Sequence, residues 1–128
     1  MPTTARISAT SYRTAITSGP HELRADIAAP IGEGSAPGPF DLLAAALASC
    51  VVMTVRMYAA RKQWPLEAAE ARVTLDHEEG KPATGGSLAL TLLGPLSDDQ
   101  RARLLEIAAR CPVHRTLEAG LHVSITPG

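Results

Sequence analysis

The apolar positions of this chain follow several distinct rhythms. The uncharged and almost wholly apolar segment "LLAAALASCVVMTV" at residues 42–55 shows no alternation, and alanine remains frequent up to Ala60. Such residues favour helix. Pro39 is tolerated in a first turn because its missing N–H would have no partner there, and Pro65 in "RKQWPL" cannot continue the pattern. A long helix from near Pro39 to before Pro65 is expected. Its spacing puts Leu43, Ala46, Leu47, Cys50, Met53, Thr54 and Met57 on one face. A helix that is apolar all round is buried all round. A chain of 128 residues has little sheet with which to cover it, so a second surface is inferred, most simply another subunit.

Strand-like rhythm brackets the helix. "RISATSYRTAITS" and "HELRADIA", divided by the turn pair Gly19-Pro20, read as a first hairpin over residues 5–28. "APIGEGSAPGP" at residues 29–39 holds three prolines and three glycines and reads as a loop. "EAAEARVTLDHEEG" and "GGSLALTLLG" read as two strands joined by a turn, and "LHVSI" near the end as a closing strand. Between them, "GPLSDDQRARLLEIAAR" has a marked helix start. Ser97 with Gln100 three residues on forms a capping box, and Asp98 and Asp99 complement the positive helix end. Leu104, Ile107, Ala108 and Cys111 then recur on one inward face. "CPVHRTLEAG" predicts a break and a short helix stopped by Gly120. The sum is a single α+β domain over residues 1–128.

Twelve basic residues face thirteen acidic ones, for a net charge of −1. There is no basic stripe of the kind a phosphate backbone selects, so nucleic acid and anionic membrane are not expected partners. The four aromatic residues offer little for base stacking. The uncharged run is shorter than the ~18 residues that a membrane-spanning helix requires, and "MPTTARISATSY" does not read as a secretory leader. A cytoplasmic location is expected. There the two cysteines should be thiols and form a bridge only transiently.

Those cysteines are the principal candidates for chemistry. Cys50 lies mid-helix among small and thioether side chains, where a free cysteine is commonly just a small hydrophobe. Cys111, however, points inward as well, so both thiols approach one core. Cys111 precedes Pro112 and a short helix, whose positive end should lower its pKa. Cys50 would need a neighbouring cation, such as Arg13, Arg24 or Arg115. Cys111 and His114 have ligand spacing without a second pair, so no metal is expected. His21, His77 and His122 are scattered. "GEGSAPG" lacks the spacing of a phosphate or dinucleotide loop, and no cofactor is expected.

The segments "GPFDLLAAALASCVVMTVRMYAARKQWPLE" and "LSDDQRARLLEIAARCPVHRTLE" with a short terminal strand resemble the OsmC/Ohr family of osmotically inducible and organic-hydroperoxide-resistance proteins. The likeness spans residues 10–126 and is nearest the branch with a shortened N-terminal hairpin. It implies an α+β fold in which an antiparallel β-sheet wraps a long central helix, in an intertwined homodimer with its active sites at the subunit interface. It also implies a thiol-dependent peroxidase active in oxidative stress defence. Cys50 would attack a small hydrophobic hydroperoxide and become a sulfenic acid, and Cys111 would resolve it as a disulfide. An external dithiol, lipoyl in Ohr proteins, would restore the thiols. The chain departs from the peroxidase pattern at two places. The family glutamate ten residues before the reactive cysteine is replaced by Phe40, and Asp41 beside it is turned by ~100° around the helix. The activating arginine comes from the first hairpin turn, where "SGPHE" offers His21, flanked by Arg13 and Arg24. An alternative reading is a non-catalytic or redox-sensing dimer that binds a small lipophilic ligand at the subunit interface. Phe40 suits such a ligand.

Overall fold

The threonine-rich start of the chain forms three strands where a single hairpin was expected. In the computed structural model, which describes residues 1–128, β1 (Thr3–Ile7), β2 (Thr14–Ser18) and β3 (His21–Ala25) make an antiparallel sheet in that order. The run that reads as one strand breaks after Ile7 because local polar bonds compete with the ladder. The Ser11 hydroxyl accepts the Arg13 backbone N–H at 3.0 Å, and the Thr14 hydroxyl donates to the Tyr12 carbonyl at 3.1 Å. The Gly19-Pro20 turn falls where expected, joining β2 to β3 with Ser18 opposite His21.

The loop after β3 is organised by one carboxylate. Asp26 is 2% exposed and accepts the Ile27 N–H at 2.7 Å, the Ser35 N–H at 2.9 Å and the Ser35 hydroxyl at 2.6 Å. The Ser35 hydroxyl and N–H hold its carboxyl below the usual carboxylate range, against the opposing effect of burial. Its own N–H donates to Pro37 O at 3.1 Å, which returns the loop towards the end of β3.

Contacts divide the chain into two compact units, Met1–Leu43 and Ala44–Gly128. The long helix α1 (Pro39–Lys62) begins in the first and runs through the second. It stops as Pro65 requires. Gln63 takes a left-handed φ of 58°, and the Trp64 N–H reaches back to Ala59 O at 2.9 Å, a pattern that satisfies the last carbonyls of a helix.

In the second unit, β4 (Ala68–Asp76) and β5 (Gly85–Leu93) form an antiparallel pair with Ala68 opposite Leu93. Alternate residues Ala69, Ala71 and Val73 of β4 and Leu88, Leu90 and Leu92 of β5 pack on Leu47, Val51, Val55 and Ala59 of α1. Helix α2 (Asp98–Ala108) closes this core with Leu104 and Ala108. Its capping box forms as expected, with Gln100 N to Ser97 Oγ at 3.1 Å and Ser97 N to Gln100 Oε1 at 3.0 Å. Full burial of such Leu and Val side chains contributes roughly 1.5–3 kcal/mol each. Two arginines tie the layers together. Arg56 of α1 donates to Leu66 O at 2.9 Å, and Arg101 of α2 donates to Leu92 O and Gly94 O at 2.6 and 2.8 Å. At Gly94, with φ of 132°, a Cβ would overlap Pro65 O, so the close crossing there admits only glycine. Helix α3 (Pro112–Ala119) follows and ends at Gly120.

Two expectations fail. "LHVSI" forms no strand, and Leu121, Val123 and Ile125 are 75%, 71% and 95% exposed. The segment has strand alternation, but a strand exists only where a neighbouring edge accepts its hydrogen bonds. Nor is α1 buried all round. Its buried stripe is Leu47, Val51, Val55 and Ala59, while Leu43, Met53 and Met57 of the face picked out by spacing are exposed. By length and composition α1 could cross a membrane, yet one side of it forms the core of this unit and its last turn carries Arg61 and Lys62.

Candidate active site

The site forms where the α2–α3 junction meets the middle of α1. Helix α2 ends in a tight turn, with Arg110 N to Ile107 O at 2.9 Å and Cys111 N to Ala108 O at 3.2 Å. Cys111 then takes extended backbone angles, φ −52° and ψ 130°, as the N-cap of α3. Pro112 after it disfavours helical geometry at Cys111 and suits the first helical position. The Cys111 sulfur accepts the His114 backbone N–H at 3.4 Å. It is wholly buried, whereas Cys50 on α1 is half-buried. Cys50 lies between the buried stripe and the open side of its helix.

Both thiols are free and meet in one packed core, Cys111 within the buried cluster and Cys50 against it, and each acts on the other's titration. Thr54, one turn on from Cys50, places its hydroxyl 3.9 Å from the sulfur. Burial pushes the Cys50 thiol up, but hydrogen bonds from Cys111, the Val113 backbone N–H and Thr54 outweigh it and hold this thiol below its ordinary value. Cys111 moves the other way. Burial raises it, and its bond to Cys50 raises it further, against the N–H groups of His114 and Val113. Of the two thiols, Cys50 is therefore the readier to ionise.

This reverses the order expected from chain position, which assigned the lowered pKa to Cys111 and left Cys50 dependent on a cation. The first turn of α3 does supply the activating dipoles, but it acts across the gap on Cys50 as well. Hydrogen bonds, rather than a guanidinium, account for the shift. Sequence reasoning also missed Thr54 as a partner of the thiol and Val113 as a backbone donor. Four-residue spacing from Cys50 could have found Thr54. Nothing in the sequence marks Val113, whose contribution is a peptide N–H.

The remaining candidates have local roles. Arg13 lies 3.4 Å from the Ser11 hydroxyl through Nε and 3.9 Å from Glu33. His21 and Arg24 sit on β3 opposite Ser18 and Ala15. Phe40 is half-buried in the first turn of α1. Asp41 accepts the Gly38 N–H at 2.9 Å, so its carboxylate caps the start of α1. These five belong to the N-terminal unit. Arg115 is exposed on α3, and its backbone N–H bonds to Cys111 O at 3.0 Å. His114 is occupied at both ring nitrogens, 3.1 Å from Ala109 O and 3.2 Å from Glu118. No group of three or more His, Cys, Asp or Glu side chains could hold a metal ion.

The model of the OsmC-like protein family matches residues 32–126. Among solved structures, an OsmC-like protein from Mycoplasma pneumoniae is 20% identical with a TM-score of 0.80, over 91% of this chain and 86% of the other. The organic hydroperoxide resistance protein OsmC of Legionella pneumophila is 26% identical with a TM-score of 0.58, over 91% and 89%. An OsmC-like hydroperoxide resistance protein of Jannaschia sp. CCS1 is 19% identical with a TM-score of 0.56, over 94% and 86%. Comparison with curated proteins found no match.

Proposed function

We propose that this chain, which belongs to the OsmC-like protein family, is a thiol-dependent peroxidase that reduces organic hydroperoxides, with Cys50 as nucleophile and Cys111 as resolving thiol. The observation that carries this reading is the meeting of two free thiols in one core, with the half-buried Cys50 lowered in pKa and the buried Cys111 raised. A peroxide requires a thiolate that it can reach. Resolution requires a second thiol close enough to condense without a large rearrangement.

The steps follow from that asymmetry. The Cys50 thiolate attacks the distal oxygen of ROOH, forming S–O as O–O breaks, and the departing alkoxide takes a proton to leave as an alcohol. Cys111, the protonated neighbour, is the proton donor at hand. Its sulfur, now a thiolate, then attacks the Cys50 sulfenic acid, S–S forms as S–O breaks, and the departing hydroxide takes a proton from solvent and leaves as water. An external dithiol returns both residues to thiols by exchange. Val113 N–H and the Thr54 hydroxyl steady the Cys50 thiolate in the role that a carboxylate-held arginine has in the family pattern. Met53 and Met57, each 62% exposed, follow Cys50 on the same helical face and suit a small hydrophobic substrate.

The same methionine face and the unpaired alternation of Leu121, Val123 and Ile125 support a homodimer, in which a second copy covers α1 and supplies an edge to the C-terminal segment. A cytoplasmic place, where dithiol reductants are plentiful, fits the cycle. The test is peroxide consumption with dithiothreitol. Wild type should reduce cumene hydroperoxide, Cys50→Ser should be inactive, and Cys111→Ser mixed with peroxide without any added thiol should perform one turnover and stop at the sulfenic acid. A wild-type protein that consumes neither cumene hydroperoxide nor hydrogen peroxide would sink the proposal.

A further inference from the structure

His114 holds the α2–α3 junction at both ends as well as at the sulfur. Its backbone N–H donates to the Cys111 sulfur at 3.4 Å. Its ring Nδ1 lies 3.1 Å from Ala109 O, and Nε2 lies 3.2 Å from the Glu118 carboxylate. Ala109 is the C-cap of α2, and its carbonyl is one of those that a helix end leaves without an intrahelical partner. Glu118 belongs to the last turn of α3. One ring therefore spans the turn that carries Cys111, from the end of one helix to the far end of the next.

Both ring nitrogens face acceptors, and this sets a chemical condition. A neutral imidazole donates from one nitrogen only. With the proton on Nδ1, a lone pair on Nε2 opposes the carboxylate; with it on Nε2, a lone pair on Nδ1 opposes the carbonyl. Both contacts are favourable at once when the ring carries its second proton. The ring makes no other hydrogen bond or ion pair, so Glu118 is the acid that faces it, and Arg110, Cys111 and Arg115 are its ionisable neighbours along the chain. Glu118 is 72% exposed, where an ion pair alone contributes little. The effect lies in geometry. A planar ring that makes both contacts fixes the backbone at residue 114, and with it the N–H that rests on the Cys111 sulfur.

We propose that His114 is a positioning residue for resolution: its ring clasps the α2–α3 turn so that the Cys111 sulfur stays aimed at Cys50 once Cys50 is a sulfenic acid. The inference rests on the peroxidase reading and assigns to that site a residue acting through Cys111. The sulfenic acid has two fates. The Cys111 thiolate attacks its sulfur, S–S forming as S–O breaks and the departing hydroxide taking a proton. Alternatively, a second hydroperoxide transfers an oxygen to it, giving the sulfinic acid and another molecule of alcohol, and the cycle ends. The first fate depends on where the Cys111 sulfur stands, because groups already held in register react far faster than groups that must find each other. The clasp thus guards the protein against its own substrate, and guards it best with both ends closed.

The test is a partition experiment on wild type, His114→Leu, which keeps the backbone N–H but has no ring nitrogens, and Glu118→Ala at its exposed position. Each protein receives cumene hydroperoxide with dimedone and no added thiol, at about pH 5 and about pH 8, the limits between which imidazoles change charge. Mass spectrometry then counts the Cys50–Cys111 disulfide against the dimedone adduct of Cys50. The adduct-to-disulfide ratio should rise on the order of fivefold in His114→Leu at the lower pH, as for one lost hydrogen bond, and by less in Glu118→Ala. The rise should shrink at the higher pH, where a neutral ring closes one end only. The rate at which the Cys50 thiol is consumed should change less than this ratio. Thermal melts check that both variants are folded, and a role in stability alone would lower the melting temperature and leave the ratio unmoved. A wild-type ratio in both variants, or a rise in His114→Leu that is equal at both pH values, overturns the clasp and leaves the peroxidase reading in place. A wild type that yields neither disulfide nor adduct overturns both.

Discussion

Replacing Cys111 with alanine removes the thiol that donates to Cys50 and leaves the rest of the site in place. Cys111 is 0% exposed, so water does not compete for this hydrogen bond. Bonds to a charged acceptor contribute about 1.5–3 kcal/mol, and a thiol, as a weak donor, belongs at the lower end. Since about 1.4 kcal/mol is a factor of ten, the Cys50 thiolate fraction at a pH below its midpoint should fall roughly tenfold in Cys111→Ala. Alkylation by iodoacetamide at that pH should slow by the same factor. The measurement is thiolate ultraviolet absorbance against pH in wild type and Cys111→Ala, with Cys50→Ser to assign the signal. Alanine also loses the cap to the His114 N–H, at a cost of about 0.5–2 kcal/mol in stability, so the variant should be compared well below its melting temperature. A Cys50 thiol that titrates at the same pH as in wild type, or lower, would refute the division of roles between the two cysteines.

Other outcomes follow from single features. Leu104→Ala, at a position with 0% exposure, should lower unfolding free energy by about 2–5 kcal/mol in urea denaturation, and a loss under about 1 kcal/mol would mean that the core collapses around the gap. The Asp26 carboxyl is held below its ordinary 3.8, so its contribution to stability is present above that pH and is lost as pH falls through the lowered folded value. Thermal melts should therefore give wild type an advantage over Asp26→Asn at neutral pH that shrinks below 3.8; an advantage unchanged in acid would contradict the Ser35 bonds as its source. Met53→Glu/Met57→Glu should convert a dimer to a monomer by light scattering, and a wild-type monomer at micromolar concentration would dispose of the second copy.

Much of the C-terminal unit was legible in advance because its signals are local. The Ser97–Gln100 box, the alternation in "EARVTLD" and "GGSLALTLL", and Pro39 and Pro65 at the ends of α1 each act within a few residues, and each element formed at those marks. The strand split after Ile7 was not legible, because the side-chain bonds of Ser11 and Thr14 only matter against the register of a neighbour. The helical face assigned to Cys50 was half right. Periodicity fixes which residues share a side of α1, but which side the β4–β5 sheet covers is settled by packing, and it covered Leu47, Val51 and Val55.

For the candidate site, the sequence alone determined its two sulfurs: an inward Cys111 before a proline-started helix and a Cys50 amid small apolar residues, in an arrangement that resembles one family. Which sulfur is the readier to ionise was decided only in three dimensions. A helix end activates whatever lies before its free N–H groups, and in this fold the α3 turn faces Cys50 as well as its own cap. Burial then separates the pair, because the wholly enclosed sulfur is pushed up while the half-open one, given three donors, is held down.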